Sequence, residues 1–160
     1  MRFLLFFLLL AGTVFSKTLD VPFVKQRSEF CGPAALSSVF RYYGVFISQE
    51  EIGKKTYIPE LKGALITDLE NYARSKGFKT KSGQGNIEKI KSYINKDIPV
   101  IVLVDLGFWV LSRPHYIVVV GYNEKGITAH TGYEKNKFIP YRKFKRIWKK
   151  AGNVYLVVYR

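Results

Sequence analysis

The hydrophobic period of this chain changes once, between Ile94 and Pro99, and that change limits what it can fold into. Before it, apolar residues recur at helical spacing. Leu36, Val39, Phe40 and Tyr43 fall at i, i+3, i+4 and i+7, with Pro33 suited to a first turn and Gly44 to a C-terminal stop. Ser48 with Glu51 forms a capping-box pattern for a short helix through Lys55. Thr67 with Glu70 repeats it before Leu69, Tyr72 and Ala73, and Asn86 caps a further helix carrying Ile87, Ile90 and Ile94. After the change come Pro99 to Leu106, Tyr116 to Tyr122 and Val154 to Tyr159, β-branched and aromatic runs of strand length. Asn123 to Gly126 reads as a hairpin turn into a strand at Ile127–His130, and Thr18 to Val24, with Pro22, as an edge strand or extended segment. Helices first and strands later predict an α+β fold on an antiparallel sheet.

Composition narrows the class. The chain has 160 residues, 48% hydrophobic and 24% charged, enough to bury a core and unlike a disordered tail. One cysteine and two histidines exclude a disulfide framework and leave too few ligands for a zinc finger. Ser82-Gly83-Gln84-Gly85 reads as a turn, because no phosphate-loop fingerprint surrounds it.

The charge is +14, from 26 Lys+Arg against 12 Asp+Glu, which admits anionic partners. Eight of those basic residues lie in Glu134 to Lys150 with a single Glu. There Tyr141, Phe144, Ile147, Trp148 and Ala151 keep helical spacing, so the aromatics are core and the charges a solvated face. A sharper reading is an anionic envelope surface contacted through this basic C-terminal helix. No nucleic-acid-binding motif accompanies it, so no specific nucleic acid is expected. Met1-Arg2, the apolar Phe3 to Phe15, and small Val14 and Ser16 make residues 1–16 an expected signal peptide, with export to a periplasmic or secreted location. Residues 17–160 contain no repeat or linker and read as one domain.

Cys31 sits at the start of the expected first helix, where free backbone N–H groups and the macrodipole favour an anion. An acidic thiol is therefore expected there. His115 opens the apolar strand that follows Pro114, and histidine is the usual base for a cysteine nucleophile.

Gln26-x4-Cys31-Gly32-Pro33-Ala34-Ala35-Leu36, then Tyr43-Gly44, and His115-Tyr116-Ile117-Val118-Val119 resemble the bacteriocin-processing, double-glycine-leader cysteine peptidases of the papain superfamily. The likeness continues through Lys76-Gly77-Phe78 and Ile98 to Val102, and reaches Phe144 and Trp148. It implies a papain-like fold, with Cys31 as nucleophile, His115 as base and Gln26 as oxyanion donor beside the Cys31 N–H. The family has Asp-Pro after the histidine strand, where this chain has Ala129-His130-Thr131-Gly132. His130 or Thr131 then takes the place of the orienting acid. His130 is the expected partner, because strand alternation turns only one of the two toward His115 and an imidazole reaches further.

The expectation is an exported cysteine peptidase hydrolysing a peptide or related amide, peptidoglycan included, with no cofactor and no metal. Its rival is a catalytically silent module that attaches to an anionic envelope surface by its basic face.

Overall fold

The apolar run around Val118 becomes the strand on which the sheet is built. The computed structural model describes residues 15–160, so the expected signal peptide falls almost wholly outside the described residues. Chain order is β1 (Lys17–Thr18), α1 (Cys31–Tyr42), α2 (Gln49–Thr56), β2 (Tyr57–Ile58), β3 (Gly63–Ala64), α3 (Ile66–Ser75), β4 (Lys79–Gln84) and α4 (Ile87–Asn95). There follow β5 (Val100–Asp105), β6 (Pro114–Tyr122), β7 (Gly126–His130), β8 (Lys137–Pro140), α5 (Tyr141–Lys150) and β9 (Val154–Tyr159). The main sheet runs β4-β9-β5-β6-β7-β8 with β1 added to β6, and all its pairings are antiparallel. The α+β expectation holds.

Alternation along β6 divides the core. Tyr116 and Val118 face α1, beside Ala34 and Ala35, while His115 and Ile117 face the side that carries Ile147 of α5. Trp148 and Phe144 stack at 5.2 Å and are buried, as the helical spacing of the basic segment requires. Phe40 stacks on Phe78 at 4.8 Å beneath α1. Truncating such a buried ring costs about 3–5 kcal/mol.

Local chemistry accounts for most helix starts. Ser48 accepts the Glu51 N–H at 3.1 Å and Asn86 accepts the Lys89 N–H at 2.8 Å. The Thr67 cap does not form: α3 starts at Ile66 behind Leu65, with no side-chain cap. Ser82 to Gln84 is not a turn but the end of β4, paired with Leu156 to Val154. Its residues are polar because β4 is an edge strand at which both faces meet water, which hides the strand period.

Candidate active site

The segment before Cys31 is held in place from two directions. Gln49, the buried first residue of α2, accepts the Arg27 N–H at 2.8 Å and donates to the Lys25 carbonyl at 2.8 Å. The intervening Gln26 N–H donates to Gly132 O at 2.8 Å. Glu29 then takes a left-handed conformation, φ 62°, and turns the chain into α1. Phe30 packs over Gly53, where any side chain would overlap its ring. Gly32 lets the start of α1 close on the sheet: a Cβ there would lie 3.1 Å from Leu69 and 3.2 Å from Tyr116.

Cys31 is thus the first residue of α1, and its sulfur arrives where the sheet is open. β7 pairs with β6 only from Val118 onward, whereas β5 pairs with β6 back to Pro114. The start of β6 therefore has one unpaired edge. There the Tyr116 N–H, with those of Gly32 and Cys31 itself, favours the thiolate. Burial nevertheless dominates and pushes the Cys31 thiol up from its ordinary 9.0. This corrects the expectation of an acidic thiol: the helix start supplies the N–H groups, but withdrawal from water outweighs them.

His115 lies on the same unpaired stretch. Its Nε2 is 2.6 Å from the Thr131 carbonyl. A carbonyl only accepts, so Nε2 carries the proton and Nδ1 is left as the basic nitrogen. Burial pushes the imidazole below its ordinary 6.5; the Thr131 carbonyl opposes that shift and Arg113 adds to it. Cys31 and His115 are each neutral at pH 7 on these directions.

His130 does not orient His115. Its Nε2–H donates to Val21 O at 2.7 Å and its Nδ1 accepts the Asn136 N–H at 3.1 Å, so both nitrogens are occupied. Phe23 packs edge-on at 5.5 Å. His130 instead faces Val118 in the β6–β7 register and ties the chain ahead of α1 to the end of β7. The Thr131 side chain does not orient the base either. Its hydroxyl accepts the Glu134 N–H at 3.0 Å and so holds the turn that presents the carbonyl.

Gln26 is buried beside the same turn. Its Nε2 donates to the Tyr133 hydroxyl at 3.1 Å, and its Oε1 has no partner among the described residues. Gly132, at φ 84°, lies against that oxygen, and a methyl group there would collide with it. Tyr133 also lies parallel to the His115 ring, with centroids 5.7 Å apart. Sequence reasoning did not single out Tyr133 or Gln49. Tyr133 lies two residues after Thr131, but nothing in the string Thr-Gly-Tyr announces a stacked ring.

Half-buried Cys31 and pinned His115 both lie at the unpaired start of β6, and buried Gln26 reaches the His115 ring through Tyr133. The chain belongs to the Peptidase_C39 like family, whose model matches residues 18–156. It is similar in fold to a putative C39-like peptidase from Bacillus anthracis, at TM-score 0.75 and 14% identity, covering 91% of this chain and 98% of that one. A double glycine motif protease from an AMS/PCAT transporter, solved with its leader peptide, aligns at TM-score 0.73 and 20% identity over 89% of this chain and 93% of that one. The peptidase domain of Streptococcus ComA, a bifunctional ABC transporter of a quorum-sensing pathway, aligns at TM-score 0.70 and 21% identity, covering 90% and 98%. No curated protein matches the sequence. Family and fold together support a peptidase-type function.

Proposed function

We propose that this protein is a cysteine peptidase in which Cys31 attacks the peptide carbonyl and His115 Nδ1 takes its proton. The observation that carries the reading is the unpaired start of β6. It holds the Tyr116 N–H at the sulfur and fixes the adjoining His115 with Nε2–H on Thr131 O. The Sγ–H proton passes to Nδ1 as the sulfur–carbon bond forms and the carbonyl π pair moves onto oxygen. That oxyanion is received by the Cys31 N–H, at the free start of α1, and by the Gln26 amide, which has a second proton beyond the one given to Tyr133. Collapse breaks the C–N bond, and His115 returns the proton to the leaving amine. Water, deprotonated by His115, then hydrolyses the thioester.

A backbone carbonyl in place of the family's aspartate fixes the same tautomer without offering a full charge to the imidazolium. Its catalytic support is correspondingly smaller than that of a carboxylate. We also infer that residues 1–16 direct export, on the positive start, apolar run and small residues at 14 and 16. The test is digestion of a pool of unstructured peptides, with new termini read by mass spectrometry. Wild-type protein generates termini that Cys31→Ala does not; equal cleavage by both proteins would reject the reading.

A further inference from the structure

We propose that the loop between β5 and β6, with the adjoining basic face of α5, docks this protein on an anionic lipid bilayer. Four consecutive apolar side chains form the loop tip: Phe108 and Trp109 are 86% exposed, Val110 79% and Leu111 73%. Soluble monomers rarely leave such a run in water unless it contacts something.

The tip is held out by an ordered stem. Asp105 accepts the Gly107 N–H at 2.7 Å, the Arg113 N–H at 2.9 Å and the Ser112 hydroxyl at 2.8 Å. The Leu106 N–H closes on Arg113 O at 3.0 Å, and within the tip the Leu111 N–H reaches Phe108 O at 3.1 Å. Lys150 of α5 braces the stem through Gly107 O at 2.8 Å. Gly107 is required, because any Cβ there would collide with the Leu111 carbonyl. Trp109 stands at φ 56°, a conformation that a bulky residue adopts at a cost. The fold accepts that cost and still turns the indole outward.

Charge selects the partner. Lys143 and Arg146, at i and i+3 of α5, line one cleft with Phe108 and Trp109, where Lys150 lies 4.0 Å from the Asp105 carboxylate and offsets its charge. Arg113 is exposed at the stem, and α5 has no acidic residue. Nucleic acid or an anionic polymer would satisfy the cations but leave the aliphatic tip in water. The tip protrudes instead of lining a groove, so it suits a deformable surface. Aromatic and aliphatic residues beneath a ring of Lys and Arg match the interface of an anionic bilayer. Among the described residues no helix is long and apolar enough to cross a membrane, so the contact is interfacial. The loop ends at Pro114, beside His115, which brings the candidate active site to the bilayer surface.

The experiment uses the full chain and reads Trp109 itself, because apolar residues 3–15 can also bind vesicles. The other tryptophan, Trp148, is buried, so wild type minus Trp109→Phe gives the Trp109 emission. With vesicles of equal parts phosphatidylglycerol and phosphatidylcholine, that emission shifts blue and is quenched by lipids brominated near the top of the acyl chain. Phe108→Ser combined with Leu111→Ser lowers vesicle affinity about tenfold or more, and Lys143→Ala or Arg146→Ala about fivefold each at low salt. Cleavage of a soluble uncharged peptide by the serine variant stays at the wild-type rate. Trp109 unquenched on bound protein, or quenched equally by phosphatidylcholine alone, overturns the proposal. So does a blue shift that grows with protein concentration without vesicles, which assigns the tip to a second copy. Loss of soluble-peptide cleavage in the serine variant assigns it to substrate and also overturns the proposal.

Discussion

The rings of His115 and Tyr133 lie parallel with centroids 5.7 Å apart, and the hydroxyl of that tyrosine accepts the Gln26 amide at 3.1 Å. One side chain therefore touches both the candidate base and the candidate oxyanion donor. Tyr133→Phe keeps the stack and frees Gln26, so kcat/KM falls only severalfold. Tyr133→Ala removes both contacts and costs about tenfold or more, since small displacements of reacting groups are expensive. Equal activity in all three proteins would remove Tyr133 from the positioning of the site.

Burial lowers the His115 pKa from 6.5, and in the proposed mechanism the neutral imidazole is the base. Activity on an uncharged peptide should rise with pH through a midpoint below 6.5. A midpoint at or above 6.5 would mean that a carboxylate or thiolate partner raises it, contrary to the burial described.

The thiol shifts the other way. With its pKa raised above 9.0, Cys31 is at most ~1% thiolate at pH 7. Iodoacetamide labelling should be slow at pH 6 and climb through a midpoint above 9. Fast labelling at pH 6 would show a preformed thiolate–imidazolium pair instead of proton transfer during attack.

Both histidines are buried with lowered pKa values, so the unfolded chain binds more protons than the folded one below about pH 6.5. Stability is full above that pH and declines as the pH falls through the folded values. Urea midpoints at pH 7.5 and 5.5 measure this, and the value at 5.5 should be lower. His130→Ala, which strands the Val21 carbonyl and the Asn136 N–H, should cost about 1–3 kcal/mol. The acid limb of activity stays in place, because His130 does not contact His115.

Gln49→Ala removes the two 2.8 Å bonds that flank Gln26. It should lower both stability, by about 1–3 kcal/mol, and kcat. An unchanged kcat would show that the Gly132 contact alone positions Gln26.

Much of the molecule was legible where local chemistry decides. Ser48 and Asn86 announced their helices through caps, and the β-branched runs announced β5, β6 and β9. Cys31 and His115 were legible because a helix start and a strand start each carry one reactive side chain. What stayed hidden depends on register. The partner of His115 is a main-chain oxygen, which no residue type encodes, and His130 is spoken for by Val21, distant in sequence. The Cys31 shift depends on how much of α1 and β6 closes over the sulfur. Helix-start logic saw the N–H groups and not the burial. The edge strand β4 was missed because its polar residues show no alternation.

In the proposed mechanism Cys31 forms the acyl bond with His115 as base. Mixing the protein with a cleavable peptide, quenching in acid during turnover and mapping intact and digested masses tests it directly. The wild type should carry a peptidyl thioester on Cys31, and His115→Ala none above background. Peptide cleavage that proceeds without any adduct on Cys31, and continues in Cys31→Ala, would contradict it.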